Sequence, residues 1–334
     1  MSETDVAIVG AGPVGLFAVF ECGMLKMRTH VFDALDLPGG QCTALYPEKP
    51  IYDIPGYPKV EALALVEKLA EQAAPFEPVY HLGSPVTALS RVDGGFRLST
   101  AAGASVAAKA VIIAAGVGAF GPNRPPLPGL EAYEGKSVFY LVKRREDFRG
   151  KRVVIAGGGD SAVDWAISLA EVAERVMVVH RRPKFRAAPE SAARLEALAQ
   201  SGGLELVIPY QLSGLEGVDG QVRRVMVADL DNKTRALDAD CLLPFFGLSM
   251  NLGAIAEWGL NLERNHITVD PATCATSASG IFAIGDIAAY PGKLKLILSG
   301  FSEAAMAAHA IHPIVYPDTA LHFEYSTTTG VPGS

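Results

Sequence analysis

The chain has 334 residues, 49% hydrophobic and 19% charged, which excludes a disordered chain and leaves room for two domains with sizeable cores. Its formal net charge of -7 argues against general nucleic-acid binding. No apolar run reaches the roughly 18 residues of a membrane span, and Met1–Asp5 is acidic rather than the basic start of an export signal, so a cytoplasmic protein without a membrane segment is expected.

In chain order, Asp5–Val9 reads as a short buried strand, and Gly10-Ala-Gly-Pro-Val-Gly15 turns it into a helix over Leu16–Leu25. Thr29–Phe32 is the next strand. Pro38–Pro58, rich in Gly, Pro and Tyr, is too long and irregular for a connector and reads as a ligand loop. An amphipathic helix follows at Val60–Gln72, then strands at Val86–Leu89, Phe96–Ser99 and Ala110–Ala114. Glycine and proline crowd Gly116–Gly129, marking a linker or domain boundary. Lys151–Ala156 is again a buried strand, Gly157-Gly-Gly-Asp-Ser-Ala162 opens a helix, and Arg175–Val179 is the strand after it. Pro244–Gly247 reads as the return to the first domain, followed by a strand at Ile281–Ile284, a helix at Leu296–Ile311 and a short polar tail, Leu321–Ser334.

The strand–glycine–helix unit thus occurs twice, which predicts an α/β protein with two Rossmann-like dinucleotide-binding domains. The first is expected to comprise residues 1–116 and 247–334, the second 117–246. In G-x-G-x-x-G the first glycine makes the tight turn, the second lets the backbone approach a pyrophosphate, and the third lets the helix pack close to the strand. The helix N-terminus then presents free N–H groups and a positive dipole end to the phosphates. Gly10, Gly12 and Gly15, with Pro13 opening the helix, fit this pattern.

Asp33 stands 23 residues after Gly10, at the end of the second strand, where an acid bonds ribose hydroxyls and repels a 2′-phosphate. The first ligand is therefore FAD or NAD(H), not NADP(H). In the second fingerprint Gly157, Gly158 and Gly159 lead into Asp160, Ser161 and Ala162, with alanine in the third glycine position. The same 23-residue offset from Gly157 reaches His180, followed by Arg181 and Arg182, with Arg186 beyond. Base has replaced acid, and arginine forks suit a phosphate, so NADP(H) is expected there. A strand ending Gly285-Asp286 supplies the third motif. In flavoproteins with two dinucleotides such an aspartate holds the flavin ribitol, which favours FAD in the first half.

The order of these motifs, with Gly-Gly-Gln41 in the loop and His-Arg-Arg-x-x-Phe-Arg-Ala after the second fingerprint, resembles the thioredoxin-reductase-like flavoproteins over nearly the whole chain. Thioredoxin reductases carry a C-x-x-C just before the second fingerprint. Here that region reads Ser137-Val-Phe-Tyr-Leu-Val-Lys143, and the four cysteines, Cys22, Cys42, Cys241 and Cys274, form no such pair. Without a dithiol there is no relay to a disulfide. Neither a zinc site nor any other metal is expected.

What remains resembles the ferredoxin–NADP+ reductases of thioredoxin-reductase-like type, on Pro38-Gly-Gly-Gln-Cys-Thr-Ala-Leu-Tyr-Pro47, on GGGDSAVDWA at 157–166, and on a tail containing Ser326-Thr327. The resemblance implies a homodimer that binds FAD and NADP(H) and exchanges electrons with ferredoxin or flavodoxin: hydride to flavin N5, then single electrons. It places Asp33 on the adenosine ribose, Gly40, Gln41 and Tyr46 near the flavin, Val86 at the adenine, and Phe120 at the linker beside the flavin. Asp286 falls on the ribitol, Thr327 reaches FAD from the tail, and Tyr46 and Tyr325 flank the flavin. No catalytic acid or base is assigned, because hydride transfer needs none. The basic stretch Lys143–Arg152 is a candidate for steering an acidic partner. Two other readings stay open: an NAD(P)H-dependent quinone or oxygen reductase of diaphorase type, and a non-catalytic flavoprotein redox sensor.

Overall fold

The structure, a computed structural model, describes residues 2–321 and 330–331, and the backbone alone at 119–120 and 248–250. The chain forms two compact units, residues 1–120 with 250–334, and residues 121–249.

The first unit begins with β1 (Ser2–Val9), whose last six residues are all buried, as a strand covered on both faces requires. Helix α1 (Pro13–Met24) follows; it starts three residues before the expected Leu16 because Pro13, with its fixed φ and no N–H, suits the first helical turn. Strand β2 (Thr29–Phe32) returns parallel to β1 with Val9 beside Phe32. The loop from Pro38 folds more than its composition suggests. It holds a short helix, α2 (Gln41–Ala44), and a two-residue antiparallel pairing of Pro50–Ile51 with Val60–Glu61. That pairing takes Val60 and Glu61 out of the expected helix, which runs instead as α3 (Ala62–Ala73). Strands β3 (Val79–His81), β4 (Val86–Val92), β5 (Gly95–Thr100) and β6 (Ser105–Ile113) complete the first pass, in sheet order β3-β2-β1-β6-β5-β4. β6 is parallel to β1 and antiparallel to β5, and it starts five residues earlier than expected because Ser105–Ala108 pairs with β5.

The second unit repeats the scheme. Strand β7 (Arg152–Ala156), helix α4 (Asp160–Leu169), β8 (Arg175–Val179), helix α5 (Pro189–Gln200), β9 (Glu205–Val207) and β13 (Cys241–Pro244) form a parallel sheet of order β9-β8-β7-β13 with helices packed on it. Between β9 and β13 an antiparallel layer intervenes, β10 (Gln211–Val218), β11 (Gln221–Ala228) and β12 (Thr234–Asp238). Alternate residues of the parallel sheet, Val154, Ala156, Met177 and Val179, meet Val222, Val225, Val227 and Leu237 of that layer in one core. The result is helix, sheet, sheet.

Back in the first unit, β14 (Ile281–Ala283) lies parallel to the end of β6, and α6 (Ile297–Val315) packs on α1. The two faces of the central sheet bury separate cores. One gathers Ile8, Ala18, Val19, Ala304 and Ile311 under α1 and α6, and the other gathers Val9, Leu98, Val111, Leu252 and Ile267. In each unit the fingerprint leaves the strand, β1 or β7, whose neighbours are reached in opposite directions. This switch point is where open α/β sheets leave a crevice for ligands.

Candidate functional site

A cleft of about 650 Å³ opens at the C-terminal end of β1, a size suited to a large bound cofactor. Gly10, Gly12, Pro13, Asp33, Gly40, Gln41, Tyr46, Val86 and Asp286 all line it. Gly15 lies beneath: a Cβ there would sit 1.9 Å from the carbonyl oxygen of Gly10, so the third glycine lets α1 start against the turn. Gly12 has nothing within 4 Å of where its Cβ would be, and no side chain caps α1, so the helix N-terminus faces open space. That cradle suits phosphate oxygens.

Asp33 is fixed by the fold. Its Oδ2 accepts the N–H of Ala11 at 2.7 Å and its Oδ1 accepts the N–H of Leu35 at 2.9 Å. Burial pushes its carboxyl pKa up, and the N–H groups of Leu35, Ala11 and Ala34 oppose that rise. The backbone around it is tied to Ser84, whose N–H donates to the Asp33 carbonyl, which brings Pro85, Val86 and Thr87 to the same end of the cleft. Near Asp286, burial raises both the Cys42 thiol, to about 11, and the Tyr46 phenol; the two side chains hydrogen-bond to each other. A thiol so placed is no nucleophile at neutral pH. Sequence reasoning missed Asn251–Ile255 and Glu257, which close the cleft from the returning chain, and also Ile297 at the start of α6. The turn at Asn251, whose Oδ1 accepts the Gly253 N–H at 2.9 Å, was the one local signal.

In the second unit the basic segment folds back onto its own fingerprint. The Arg186 N–H donates to the Gly158 carbonyl at 2.7 Å, and the Ala188 N–H donates to Asp160 Oδ1 at 2.9 Å. Arg181, Arg182 and Arg186 are exposed, as are Gly159, Asp160 and Ser161. His180 is different. Its ring stacks on Phe185 at 5.2 Å and fills the space where a Cβ on Gly158 would lie. Burial lowers its pKa, a hydrogen bond with the Lys184 backbone opposes that, and the Arg181, Arg182 and Arg186 charges lower it further, which favours the uncharged ring at neutral pH. The charges available to an anion are the arginines.

Asp160 therefore carries a prediction. Asp160→Ala frees the basic loop and is expected to raise the KM for NADPH about three- to tenfold with kcat little changed, as loss of one partly exposed hydrogen bond implies. Asp160→Asn keeps the acceptor oxygen and should not raise it. Steady-state kinetics on both variants decide the matter.

One sequence expectation changes. The Lys143–Arg152 stretch holds six cations, but Arg144 pairs with Asp147, Arg145 with Glu171, Arg149 with Glu146 and Arg152 with Asp240. Its charge is mostly compensated within the unit, which weakens the steering idea. Ser137, in the region that lacks the dithiol, is structural: its hydroxyl donates to the Gly220 carbonyl at 2.8 Å and accepts the Val222 N–H at 3.0 Å. The four cysteines are buried and free. Tyr325 and Thr327 lie outside the described residues, as does the side chain of Phe120. Among the described residues no cluster of three or more metal-ligating side chains occurs, and no helix is long and apolar enough to cross a membrane.

Two glycine fingerprints at the switch points of two separate sheets define a two-dinucleotide α/β protein of thioredoxin-reductase-like fold. The fold is similar to that of the thioredoxin reductases of T. acidophilum (TM-score 0.82, 24% identity, 93% of this chain and 98% of that one) and Lactococcus lactis (TM-score 0.81, 24% identity, 94% and 99%). The chain belongs to the pyridine nucleotide-disulphide oxidoreductase family, whose profile matches residues 4–310. Within it the chain is similar to the ferredoxin–NADP reductase of Paramagnetospirillum magneticum, 68% identical over 331 residues, 99% of this chain and 98% of the relative. It is 65% identical to that of Rhodospirillum rubrum over 335 residues, 99% and 97%.

Proposed function

We propose that the chain is an FAD-dependent ferredoxin–NADP+ reductase, cytoplasmic and homodimeric, that moves electrons between NADP(H) and ferredoxin or flavodoxin. The unit of residues 1–120 and 250–334 is the FAD domain, and the unit of 121–249 is the NADP(H) domain. The observation that carries this reading is the contrast at one shared offset. A backbone-anchored carboxylate, Asp33, ends the first βαβ unit, and exposed arginines, Arg181 and Arg182, follow the second. Nearly full-length similarity to ferredoxin–NADP reductases supports the choice of acceptor.

The residues present fit FAD. The open space at Gly12 and the uncapped α1 accommodate a pyrophosphate, and the carboxylate of Asp33 keeps lone pairs for ribose hydroxyls. Asp286 at the Gly-Asp turn serves the ribitol. When bound, FAD supplies the chemistry that links a two-electron nicotinamide donor to a one-electron acceptor. The protein's own part is binding and exclusion. Tyr46, held as a neutral phenol against Cys42, walls the cleft, and the inert, unpaired Cys42 offers no competing thiol relay. The second unit grips the 2′-phosphate of NADPH through Arg181, Arg182 and Arg186, on a loop braced by Asp160.

Anaerobic mixing tests the reading. The yellow protein is expected to bleach with NADPH and to recover its colour with oxidised ferredoxin. Faster turnover with quinone or oxygen than with ferredoxin points to the diaphorase reading. Tight nucleotide binding with no turnover on any acceptor points to the sensor.

A further inference from the structure

Glu303 is the one acidic residue in α6, and it is buried to 2% exposure. Its carboxylate gathers three donors from two loops. Oε2 accepts the N–H of Gly285 at 2.7 Å, and Oε1 accepts the Tyr290 hydroxyl at 2.6 Å and the ammonium of Lys293. The Lys293 side chain is buried with it, at 6% exposure. Burying an ion pair costs desolvation that a well-packed apolar pair would not incur, so such a pair is weak evidence for stability. What it does supply is fixed geometry, because both carboxylate oxygens accept hydrogen bonds from groups on other segments.

The groups it fixes belong to the cleft. Gly285 has φ +75°, and the residue after it is Asp286; both line the cleft. Tyr290 and Lys293 lie in the segment that leads into Ile297, which lines it too. Val14, at the start of α1, is wedged between these parts. A Cβ on Gly300 would meet its Cγ2 at 2.3 Å, and one on Gly285 would touch the same side chain at 3.5 Å. The turn bearing Asp286, the entry to α6 and the first turn of α1 are therefore registered against one another around a single buried carboxylate.

We infer that Glu303 is a positioning residue for the cofactor: through Gly285 it sets the Asp286 turn, and through Tyr290 and Lys293 it sets the approach to Ile297. The inference rests on the FAD reading above. Glu303 does not reach into the cleft, and its action is wholly through the residues it holds.

The test uses the full chain, with FAD affinity measured by refilling the apoprotein and following flavin fluorescence. Glu303→Gln leaves the buried Lys293 without a counter-charge, so the 290–296 segment shifts and FAD binding is expected to weaken at least about tenfold. The visible absorption bands of the bound flavin should shift as well, and NADP+ affinity should hold within about twofold. The double variant Glu303→Gln with Lys293→Met removes both charges but keeps an acceptor for Gly285, and should recover FAD affinity to within about threefold of the parent. A Glu303→Gln protein with parental FAD affinity and spectrum overturns the inference alone, as does a double variant that stays as weak as the single. If Glu303→Gln does not fold, Tyr290→Phe keeps the ion pair and removes one bond; about threefold weaker FAD binding is then expected, and no change overturns the inference. A parent chain that takes up no FAD overturns the FAD reading itself and this inference with it.

Discussion

Gly15→Ala is expected to weaken FAD binding about a hundredfold or more while leaving NADP+ binding within about twofold of the parent. The added Cβ would sit 1.9 Å from the carbonyl oxygen and 3.0 Å from the carbonyl carbon of Gly10. Both are backbone atoms, so no rotamer change relieves the clash and α1 must withdraw from the turn. α1 is pinned on both sides, by α3 and by α6, and its withdrawal breaks the contact through Val14 as well. Overpacking of this kind costs on the order of 3 kcal/mol or more, about a hundredfold in affinity if it falls on the bound state alone. The second fingerprint provides the control. Its third position is already alanine, and Ala162 is buried without strain because Gly157 leaves its Cβ 3.0 Å from the place a Gly157 methyl would take. Ala162→Gly should cost only about 1 kcal/mol of helix propensity and leave both nucleotides bound. FAD content after purification and isothermal titration with NADP+ read both outcomes. Retention of FAD by Gly15→Ala defeats the assignment of the first fingerprint.

The difference between these two glycine motifs shows where the sequence is legible. β1 and β7 read cleanly because a strand buried on both faces is a continuous apolar run, and the turn and helix after it need glycines at fixed offsets. Asp33 and the arginines are selected by offset alone. The antiparallel layer at 211–238 was missed for a physical reason. β10 alternates half-buried with exposed residues and carries Gly214 and Gly217, and in β11 the buried Val222, Val225 and Val227 are spaced irregularly among exposed residues, so the apolar signal is faint. α5 was missed because only Leu195 is buried in it. Cleft residues 251–257 come from a loop that reaches β1 only through the fold, and no local pattern encodes that. Glu303 lies between these cases. An acid alone in an apolar helix is visible in the sequence, but its partners stand ten, thirteen and eighteen residues earlier, in turns whose approach the sequence does not reveal. His180 is the contrasting case: the same offset selects it with the arginines, and its ring is half-buried against Gly158 and Phe185.

That packing sharpens the expectation for the second nucleotide. With His180 kept uncharged by burial and by its arginine neighbours, the positive charge at the end of β8 belongs to Arg181, Arg182 and Arg186. The double variant Arg181→Ala with Arg182→Ala is expected to lower kcat/KM for NADPH by about a hundred- to a thousandfold, with NADH changed by less than about threefold. The magnitude follows from removing two charge-assisted hydrogen bonds, each worth roughly 1.5–3 kcal/mol, taken at the lower end because the side chains are exposed. NADH lacks the 2′-phosphate and makes neither bond, so its rate is the internal control for folding and for the flavin. Replacing the arginines by lysines should recover part of the loss and not all of it, since a point charge lacks the fork that matches phosphate. The pH dependence separates the arginines from the histidine. Because burial lowers the His180 pKa, its protonation is moved to lower pH than that of an ordinary histidine. NADPH affinity should instead weaken as pH falls through about 6, where a phosphate monoester takes up its second proton. In the arginine double variant that dependence should become shallower, because of the three arginines Arg186 alone is left to prefer the dianion. A His180→Gln variant that keeps parental NADPH selectivity and pH profile fits this division of roles, whereas one that loses selectivity as fully as the arginine variant returns the histidine to the binding site.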